Sequence, residues 1–307
     1  MPSKADLTDL VLGAHGFLGR RLVRRLEADG RRVIAVGRDA GDLAVPEVAR
    51  SALGRAPVAR IFHFATRQRT GPSQYDIQAE LLAVNARMHL NVLEAWRQLQ
   101  PQAKLITPGS SCTYPESRAP LTEASFGLGP LHPSVAGYAL AKQVLATGCA
   151  AYARQYGLRY LHCVLATTYG PGDHTEADRS HFVGALLHRA AAEKRRGATC
   201  FTVWGDPATV REVLHADDQI DAILRADTQF TDTILNCAAD TPVTVGAVAG
   251  AVLRALDWQV PIERPAESFQ GTPYKMLDSG RFLAATGWRP RISLDDGLRQ
   301  LVREAYP

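Results

Sequence analysis

The sequence predicts an α/β fold in which a doubly wound parallel sheet is joined to a smaller, mixed α/β C-terminal lobe. In the first half, short apolar runs alternate with helical patterns, and after about Gly170 this rhythm changes. Alternating strands and helices indicate parallel strands joined by right-handed crossovers. With 307 residues, 46% of them hydrophobic, the chain is long enough to bury a sizeable core.

The individual elements follow from apolar periodicity and from the glycines and prolines between the segments. The predicted strands are Asp9–Leu12, Arg32–Val36, Arg60–Phe64, Lys104–Thr107, Tyr160–Ala166, Thr199–Trp204 and Thr233–Cys237. The predicted helices are Phe17–Ala28, Ile77–Leu99, Gly137–Tyr156, Phe182–Arg195, Ala216–Arg225, Val245–Leu256 and Leu294–Tyr306.

Composition narrows the classes of protein. The net charge is +4, and no basic tract is interleaved with aromatic residues, so a nucleic-acid partner is not expected. Thirty of the 35 basic residues are arginine, which suits anionic ligands but also results from a base-composition bias of the genome. Five cysteines without close pairs predict neither a disulfide framework nor a metal site. With no signal peptide and no membrane span in the pattern, we expect a cytoplasmic protein.

A glycine-rich loop follows the first predicted strand and opens the first helix. Its glycines permit a tight turn and close approach of the backbone to a pyrophosphate, and the helix N-terminus offers free N–H groups. Between a strand and a helix, this spacing predicts a Rossmann-type dinucleotide site. The candidate cofactor contacts are Gly13, His15, Gly16, Phe17, Leu18 and Gly19, with Ala65 after the third predicted strand.

The end of the second predicted strand bears on the choice of dinucleotide. NAD enzymes usually carry an acidic residue there for the ribose hydroxyls. This chain has Arg38 followed by Asp39, and Arg38 can pair with a 2′-phosphate, assisted by His15. NADP(H) is therefore favoured, and Asp39 keeps NAD(H) as the alternative.

Tyr138 and Lys142 lie four residues apart on one predicted helix face. A free phenol titrates near a pKa of about 10, so we expect the lysine and a positive nicotinamide ring to lower the pKa of Tyr138 for proton exchange with a substrate oxygen. Ser110, at the end of the fourth predicted strand, can hydrogen-bond the same oxygen, although it is alternatively a residue that only ends the strand. Asn85, in the predicted helix Ile77–Leu99, is a candidate to hold the backbone or a proton-relay water, with ordinary hydrogen bonding in the core as the alternative.

These residues resemble the extended short-chain dehydrogenase/reductase family of nucleotide-sugar enzymes, and within it the GDP-L-fucose synthases, which are 3,5-epimerases and 4-reductases of GDP-4-keto-6-deoxymannose. The likeness spans roughly residues 10 to 301. It rests on the glycine loop and on Gly109 to Cys112, Tyr114-Pro115, Tyr138 to Lys142, Tyr169 to Pro171, Ser180-His181, Val203 to Gly205, Arg211 to Asp218, Gly271 to Pro273, Lys275 and Asp278, and Gly287-Trp288.

The resemblance implies that Cys112 and His181 are the acid/base pair that inverts C3 and C5 of a 4-ketosugar. It also implies substrate contacts from Ser111, Thr167, Arg189, Trp204, Arg211 and Lys275. The structural alternatives are a small strand-end residue for Cys112 and a neighbour of a helix cap for His181. Sugar dehydratases of this family carry an Asp-Glu pair where this chain has Cys112 and Thr113, which argues against dehydration.

Several positions depart from the fucose synthase pattern. Thr167 stands where asparagine is usual, Gly184 replaces a frequent proline, His15 replaces an arginine, and the segment from Thr66 to Tyr75 differs. Because of these departures, the sequence does not determine which sugar and which nucleotide base the substrate carries. An epimerase-only or reductase-only enzyme acting on another sugar, such as a heptose, is the alternative, and a non-enzymatic redox sensor is a more distant one, opposed by the intact tyrosine and lysine.

The resemblance further implies a homodimer that pairs the helices predicted at Ile77–Leu99 and Gly137–Tyr156. We expect residues 1–170 to form the dinucleotide-binding domain, with segments near 199–240 returning to it. Residues 171–307 are expected to form mainly the nucleotide-sugar lobe.

Overall fold

The computed structural model describes residues 8–70, 73–174, 180–264 and 274–306. The motif Gly271 to Pro273 lies outside these ranges. The strands are β1 (Thr8–Leu12), β2 (Arg32–Val36), β3 (Arg60–His63), β4 (Lys104–Ser110), β5 (Tyr160–Leu165), β6 (Thr167–Tyr169), β7 (Phe201–Thr202), β8 (Val210–His215), β9 (Thr233–Cys237), β10 (Pro242–Thr244), β11 (Ile262–Glu263) and β12 (Tyr274–Lys275).

The helices connect these strands. They are α1 (Phe17–Ala28), α2 (Pro46–Leu53), α3 (Ser73–Asp76), α4 (Gln78–Leu99), α5 (Ala136–Tyr156), α6 (Phe182–Arg195), α7 (Ala216–Gln229), α8 (Val245–Ala255), α9 (Gly280–Thr286) and α10 (Leu294–Ala305). Short 3-10 turns lie at Arg38–Ala40 and Ser111–Thr113, each directly at or near the carboxyl end of a strand.

The main sheet has six parallel strands in the order β2-β1-β3-β4-β5-β9, which confirms the predicted doubly wound sheet. Helices α1, α7 and α9 cover one face, and α2, α4 and α5 cover the other. Each face buries its own apolar cluster, with Leu22 and Ile223 on the first side and Trp96 and Leu145 on the second. Because both faces are buried, the strands are almost continuously apolar, as is usual in parallel sheets.

A second, smaller sheet is organised around β8. Strand β10 pairs with β8 in antiparallel register, whereas β12 and β6 run parallel to it. A third apolar cluster packs α6, α8 and α10 together and includes Tyr169, Leu187, Val252 and Leu298. Lys275 of β12 lies beside Arg211 of β8 in this sheet.

Strand β4 is longer than the prediction, which ended at Thr107. Pro108 and Gly109 suggest an end to the strand in the sequence, yet both continue the register, opposite Cys163 and Val164 of β5. Ser110 therefore stands at the carboxyl edge of the sheet. Ligands bind at this edge in open α/β folds.

Candidate active site

The glycine loop lies between β1 and α1 as predicted. Gly13 has a φ of +81°, and a Cβ there would lie 2.6 Å from the backbone nitrogen of Ala65. A Cβ on Gly19 would collide with the carbonyl oxygen of Gly13, so the loop tolerates only glycine at both positions. The loop backbone is fixed by hydrogen bonds from the N–H groups of Gly13 and Ala14 to the Val36 carbonyl, at 2.8 and 3.0 Å.

This loop fits a dinucleotide. Gly16 precedes α1 in extended backbone conformation and no side chain caps the helix, so its first N–H groups face outward. Backbone N–H groups and the helix dipole together favour a pyrophosphate at this point. Beside the loop, Nδ1 of His15 lies 3.2 Å from Oδ1 of Asp39, and Arg38 is exposed in the turn that follows β2.

The tyrosine and lysine of α5 are both buried, and they lie beside the end of β4. Lys142 donates a hydrogen bond to the Pro108 carbonyl at 3.1 Å, and its Nζ lies 5.8 Å from the centre of the Tyr138 ring. Burial lowers the pKa of Lys142 to about 8. An ammonium group with no buried anion beside it loses hydration without compensation, which explains the direction.

The pKa of Tyr138 does not follow the prediction. Burial raises it above the ordinary value, negative charge on Cys112 adds to the effect, and a hydrogen bond with Thr66 only partly opposes both. Burial has the largest effect on this pKa, and no lowering by Lys142 accompanies it, so that part of the prediction is wrong. The effect expected from the nicotinamide ring stays a prediction. Tyr138 is held as a protonated phenol, which is the form that donates a proton.

Neutral side chains surround Lys142. His63 and His89 are fully buried and lie within hydrogen-bond distance of each other, 2.8 Å between Nε2 and Nδ1. Burial lowers the pKa of His63 to about 3, and the charge of Lys142 contributes in the same direction. Sequence reasoning missed this pair, because nothing in the pattern distinguishes it from ordinary core histidines.

Cys112 lies in the turn directly after β4, two residues beyond Ser110. Its backbone N–H donates to Oγ of Ser110 at 3.2 Å, and Nζ of Lys275 lies 2.9 Å from its sulfur. Burial alone would raise the pKa of the thiol, but Lys275, Ser110 and Arg211 outweigh burial and lower the pKa below the ordinary value. The structure thus brings a predicted substrate contact, Lys275, directly onto the predicted acid/base cysteine, whose thiolate it stabilises.

His181 precedes α6 and belongs to a different group of contacts. Its Nδ1 lies 2.8 Å from Oδ1 of Asp173, its Nε2 lies 3.3 Å from the amide nitrogen of Gln68, and its ring packs against Phe17 of the glycine loop. Sequence reasoning missed Asp173 and Gln68. Asp173 is eight residues before His181 in a turn-forming segment, so no periodicity connects the two.

The segment after β3 is fixed by Asn85. The Asn85 side chain accepts from the backbone N–H of Arg67 at 2.8 Å and donates to the Arg67 carbonyl at 2.9 Å. Of its two suggested roles, the structure therefore shows the backbone one. Through this contact α4 positions Thr66 beside Tyr138 and Gln68 beside His181.

Of the remaining predicted substrate residues, Arg189, Trp204 and Arg211 lie in the C-terminal part of the chain, whereas Ser111 and Thr167 lie before it. Arg189 stacks over the rings of Phe201 and Trp204, at 4.9 and 4.5 Å from their centres, and Trp204 is 63% exposed. Arg211 is half-buried and its charge reaches Cys112. Thr167 begins β6 beside Val213 of β8, and Ser111 lines a small cavity together with Cys112 and Lys275. Their substrate roles remain predictions.

Two negative observations apply to the described ranges. Within them, no helix is long and apolar enough to cross a membrane. The same part of the chain contains no group of three or more histidine, cysteine or acidic side chains placed to hold a metal ion.

The dinucleotide loop and the Ser110, Tyr138 and Lys142 set at one edge of a parallel sheet define a nicotinamide-dependent redox enzyme. The chain belongs to the NAD dependent epimerase/dehydratase family, whose model matches residues 10–238. It is 30% identical over 290 residues to a GDP-L-fucose synthase of Sinorhizobium fredii, an alignment that covers 94% of this chain and 92% of that protein.

Solved structures share the fold. A GDP-6-OMe-4-keto-L-xylo-heptose reductase from C. jejuni superimposes with a TM-score of 0.88 at 19% identity, covering 99% of this chain and 98% of the other. A GDP-L-fucose synthetase from Naegleria fowleri bound to NADP has a TM-score of 0.88 at 20% identity, covering 99% of this chain and 94% of the other. At these identities the likeness concerns the architecture.

Proposed function

We propose that this protein is an NADP(H)-dependent epimerase/reductase of a nucleotide-linked 4-keto-deoxysugar, GDP-4-keto-6-deoxymannose or a close relative. The observation that carries the proposal is the contact of the Lys275 ammonium with the sulfur of Cys112, 2.9 Å away, beside Ser110 and Tyr138. A redox step alone needs no stabilised thiolate, whereas inversion of a carbon next to a ketone needs a base. The similarity to the Sinorhizobium fredii GDP-L-fucose synthase supports the same reaction class.

Epimerisation uses the acidity that a C4 ketone gives to the protons on C3 and C5. The Cys112 thiolate removes one of these protons, and the electron pair of the C–H bond moves into an enolate on the C4 oxygen. Tyr138 and Ser110 donate hydrogen bonds to that oxygen and stabilise its charge. His181 then delivers a proton to the opposite face of the carbon, which inverts it and restores the ketone.

Reduction uses the other half of the site. The nicotinamide cofactor, when bound, supplies a hydride to C4. Tyr138 gives its phenolic proton to the C4 oxygen as the carbonyl becomes an alcohol. Lys142, whose pKa is lowered to about 8, stands behind Tyr138 to stabilise the phenolate left after the transfer.

The preference for NADP(H) rests on the turn after β2. Arg38 is exposed there and available to a 2′-phosphate, while Asp39, which would serve the ribose hydroxyls of NAD, lies beside His15. The NADP-bound Naegleria fowleri structure is consistent with this choice. For the nucleotide end of the substrate we propose Arg189, Trp204 and Arg211 on the lobe of residues 171–307, with residues 1–170 binding the cofactor.

We also propose a homodimer formed through α4 and α5, which pack against each other on one face of the main sheet. Each carries a large apolar side chain on its outer surface, Leu90 at 49% and Leu140 at 42% exposure. Leu90→Asp combined with Leu140→Asp should convert a dimer into a monomer in sedimentation experiments. A wild-type protein that sediments as a monomer at all concentrations would disprove this interface.

The test of the proposed reaction is incubation with GDP-4-keto-6-deoxymannose in deuterated water, with and without NADPH. We expect deuterium at C3 and C5 without NADPH, and a reduced, deuterated product with it. Exchange without NADPH oxidation indicates an epimerase only, and oxidation without exchange indicates a reductase, for which a 4-keto-heptose would be tried next. Cys112→Ser should abolish exchange and leave NADPH binding intact.

A further inference from the structure

The carboxylate of Asp173 contacts both the ring and the backbone of His181. Its side chain is 3% exposed, its Oδ1 lies 2.8 Å from Nδ1 of the imidazole, and its Oδ2 accepts the backbone N–H of His181 at 3.2 Å. One acidic residue therefore fixes both the ring and the backbone of His181. The contact with Nδ1 restricts rotation of the ring, and the contact with the N–H group holds the backbone to which the ring is attached.

These contacts determine which ring nitrogen carries hydrogen. A carboxylate only accepts hydrogen bonds, so Nδ1 must be the N–H that donates to Asp173. In the neutral ring Nε2 then has a free lone pair, and the amide N–H of Gln68, 3.3 Å away, is a matching donor. Nε2 is thus the only nitrogen of His181 that can exchange a proton with a substrate.

The loop that carries Asp173 is anchored to the cofactor helix. Arg20 and Arg21 of α1 donate hydrogen bonds to the carbonyls of Gly172 and Pro171. On the other side, a Cβ at Gly184 would lie 3.4 Å from Oδ2 of Asp173 and 2.8 Å from Oγ of Ser180. The glycine that departs from the family pattern therefore leaves room for the Ser180 hydroxyl, whereas a Cβ would make only an ordinary contact with the carboxylate.

We propose that Asp173 is a positioning residue for epimerisation, which directs proton transfer by His181 to Nε2. This inference rests on the proposed function. In the reaction, Nε2 takes a proton from solvent and releases it to the enolate carbon, while the proton on Nδ1 stays in its hydrogen bond to Asp173. The carboxylate acts through the imidazole and does not touch the sugar.

Asp173→Asn tests the role with almost no change in volume. The amide oxygen can still accept a backbone N–H, but the amide NH₂ would donate to Nδ1 and move the ring hydrogen to Nε2. We expect deuterium exchange at C3 and C5 to fall about 100-fold or more, because a similar carboxylate-to-amide change in a catalytic triad costs about 10⁴-fold through the wrong tautomer. The dissociation constant of NADPH should be unchanged.

A double-mutant cycle separates positioning from general loss of structure. In a His181→Asn background, Asp173→Asn should reduce exchange no further, since its effect passes through the imidazole. Equal exchange rates for wild type and Asp173→Asn would overturn the proposal. So would additive losses in the cycle.

Nitrogen NMR of the wild-type histidines provides a readout that needs no substrate and no folded Asp173 variant. The His181 signal, assigned by its absence in His181→Asn, should report hydrogen on Nδ1 at neutral charge. Hydrogen on Nε2 instead would disprove the role of Asp173 even if exchange occurs. A wild-type protein that shows the expected tautomer but exchanges no deuterium would contradict the proposed function and leave the assignment of the ring contacts standing.

Discussion

Replacing Lys275 with methionine should uncouple the thiol of Cys112 from its charge partner while keeping most of the side-chain volume. The ammonium lies 2.9 Å from the sulfur, and its charge is the main influence that overcomes burial and lowers the pKa of the thiol. A hydrogen bond to a charged group contributes about 1.5–3 kcal/mol. At about 1.4 kcal/mol per factor of ten, the thiolate population at a fixed pH should fall roughly 10- to 100-fold.

The assay is alkylation of Cys112 by iodoacetamide as a function of pH, with Cys112→Ser as the background. In Lys275→Met the rise in rate with pH should move to higher pH, and deuterium exchange into the sugar should fall by a similar factor. Lys275→Arg keeps the charge and should keep the wild-type profile. Lys194→Met, which also removes one positive charge but lies on α6 against the carbonyls of Leu256 and Asp257, serves as the matched control.

An unchanged alkylation profile in Lys275→Met would refute the reasoning. It would mean that Arg211 and Ser110 suffice to hold the thiolate and that Lys275 serves another purpose. A shift of equal size in Lys194→Met would also refute it, because the effect would then belong to the net charge of the protein.

Three further predictions concern the redox half and the fold. Tyr138→Phe should reduce the rate of NADPH oxidation about 10²- to 10⁴-fold, which is the usual contribution of a general acid. Deuterium exchange should fall only by the smaller factor that the loss of one hydrogen bond to the C4 oxygen causes. Arg38→Ala should weaken NADPH binding about 10- to 100-fold in a fluorescence titration and leave NADH binding unchanged, because it removes a charge-assisted contact; equal losses for both would contradict the 2′-phosphate assignment. Asp9→Asn should lower the free energy of unfolding in urea by about 3 kcal/mol. Asp9 is fully buried and forms salt bridges of 2.6 Å with both Arg31 and Arg60. A decrease below about 1 kcal/mol would show that the two arginines find other partners.

Much of the fold was predictable from periodicity, because the six central strands and the long helices carry strong apolar patterns. Helix α6 begins and ends at the predicted residues, and α7 extends four residues beyond the predicted Arg225. Strands β10 and β12 escaped prediction because two or three residues give no period. Strand β8, which has six residues, escaped it because it contains the charged pair Arg211 and Glu212. Their strand character comes from pairing with distant segments.

The candidate site likewise contains features that the sequence predicts and contacts that it does not. The turn at Gly13 was predictable because its backbone conformation requires glycine, whereas the continuation of β4 to Ser110 was not. The contact of Lys275 with Cys112 was not, because it depends on how β12 pairs with β8 and on how the lobe meets the main sheet. Likewise, the raised pKa of Tyr138 depends on burial, a property that spacing along a helix does not report.

The buried carboxylate of Glu212, in β8, connects segments of the smaller sheet, and this has a consequence for experiments on Cys112. Its carboxylate accepts the backbone N–H groups of Ala239 and Asp240 at 2.8 Å and of Leu277 at 3.2 Å, which ties β12 and its Lys275 to β8. Cys112 follows β4 of the main sheet, whereas Lys275 belongs to β12 of the smaller sheet. The reactivity of the Cys112 thiol therefore depends on contact between the two sheets. The alkylation rate of Cys112 therefore measures, without substrate, whether β12 lies in place against the turn that follows β4.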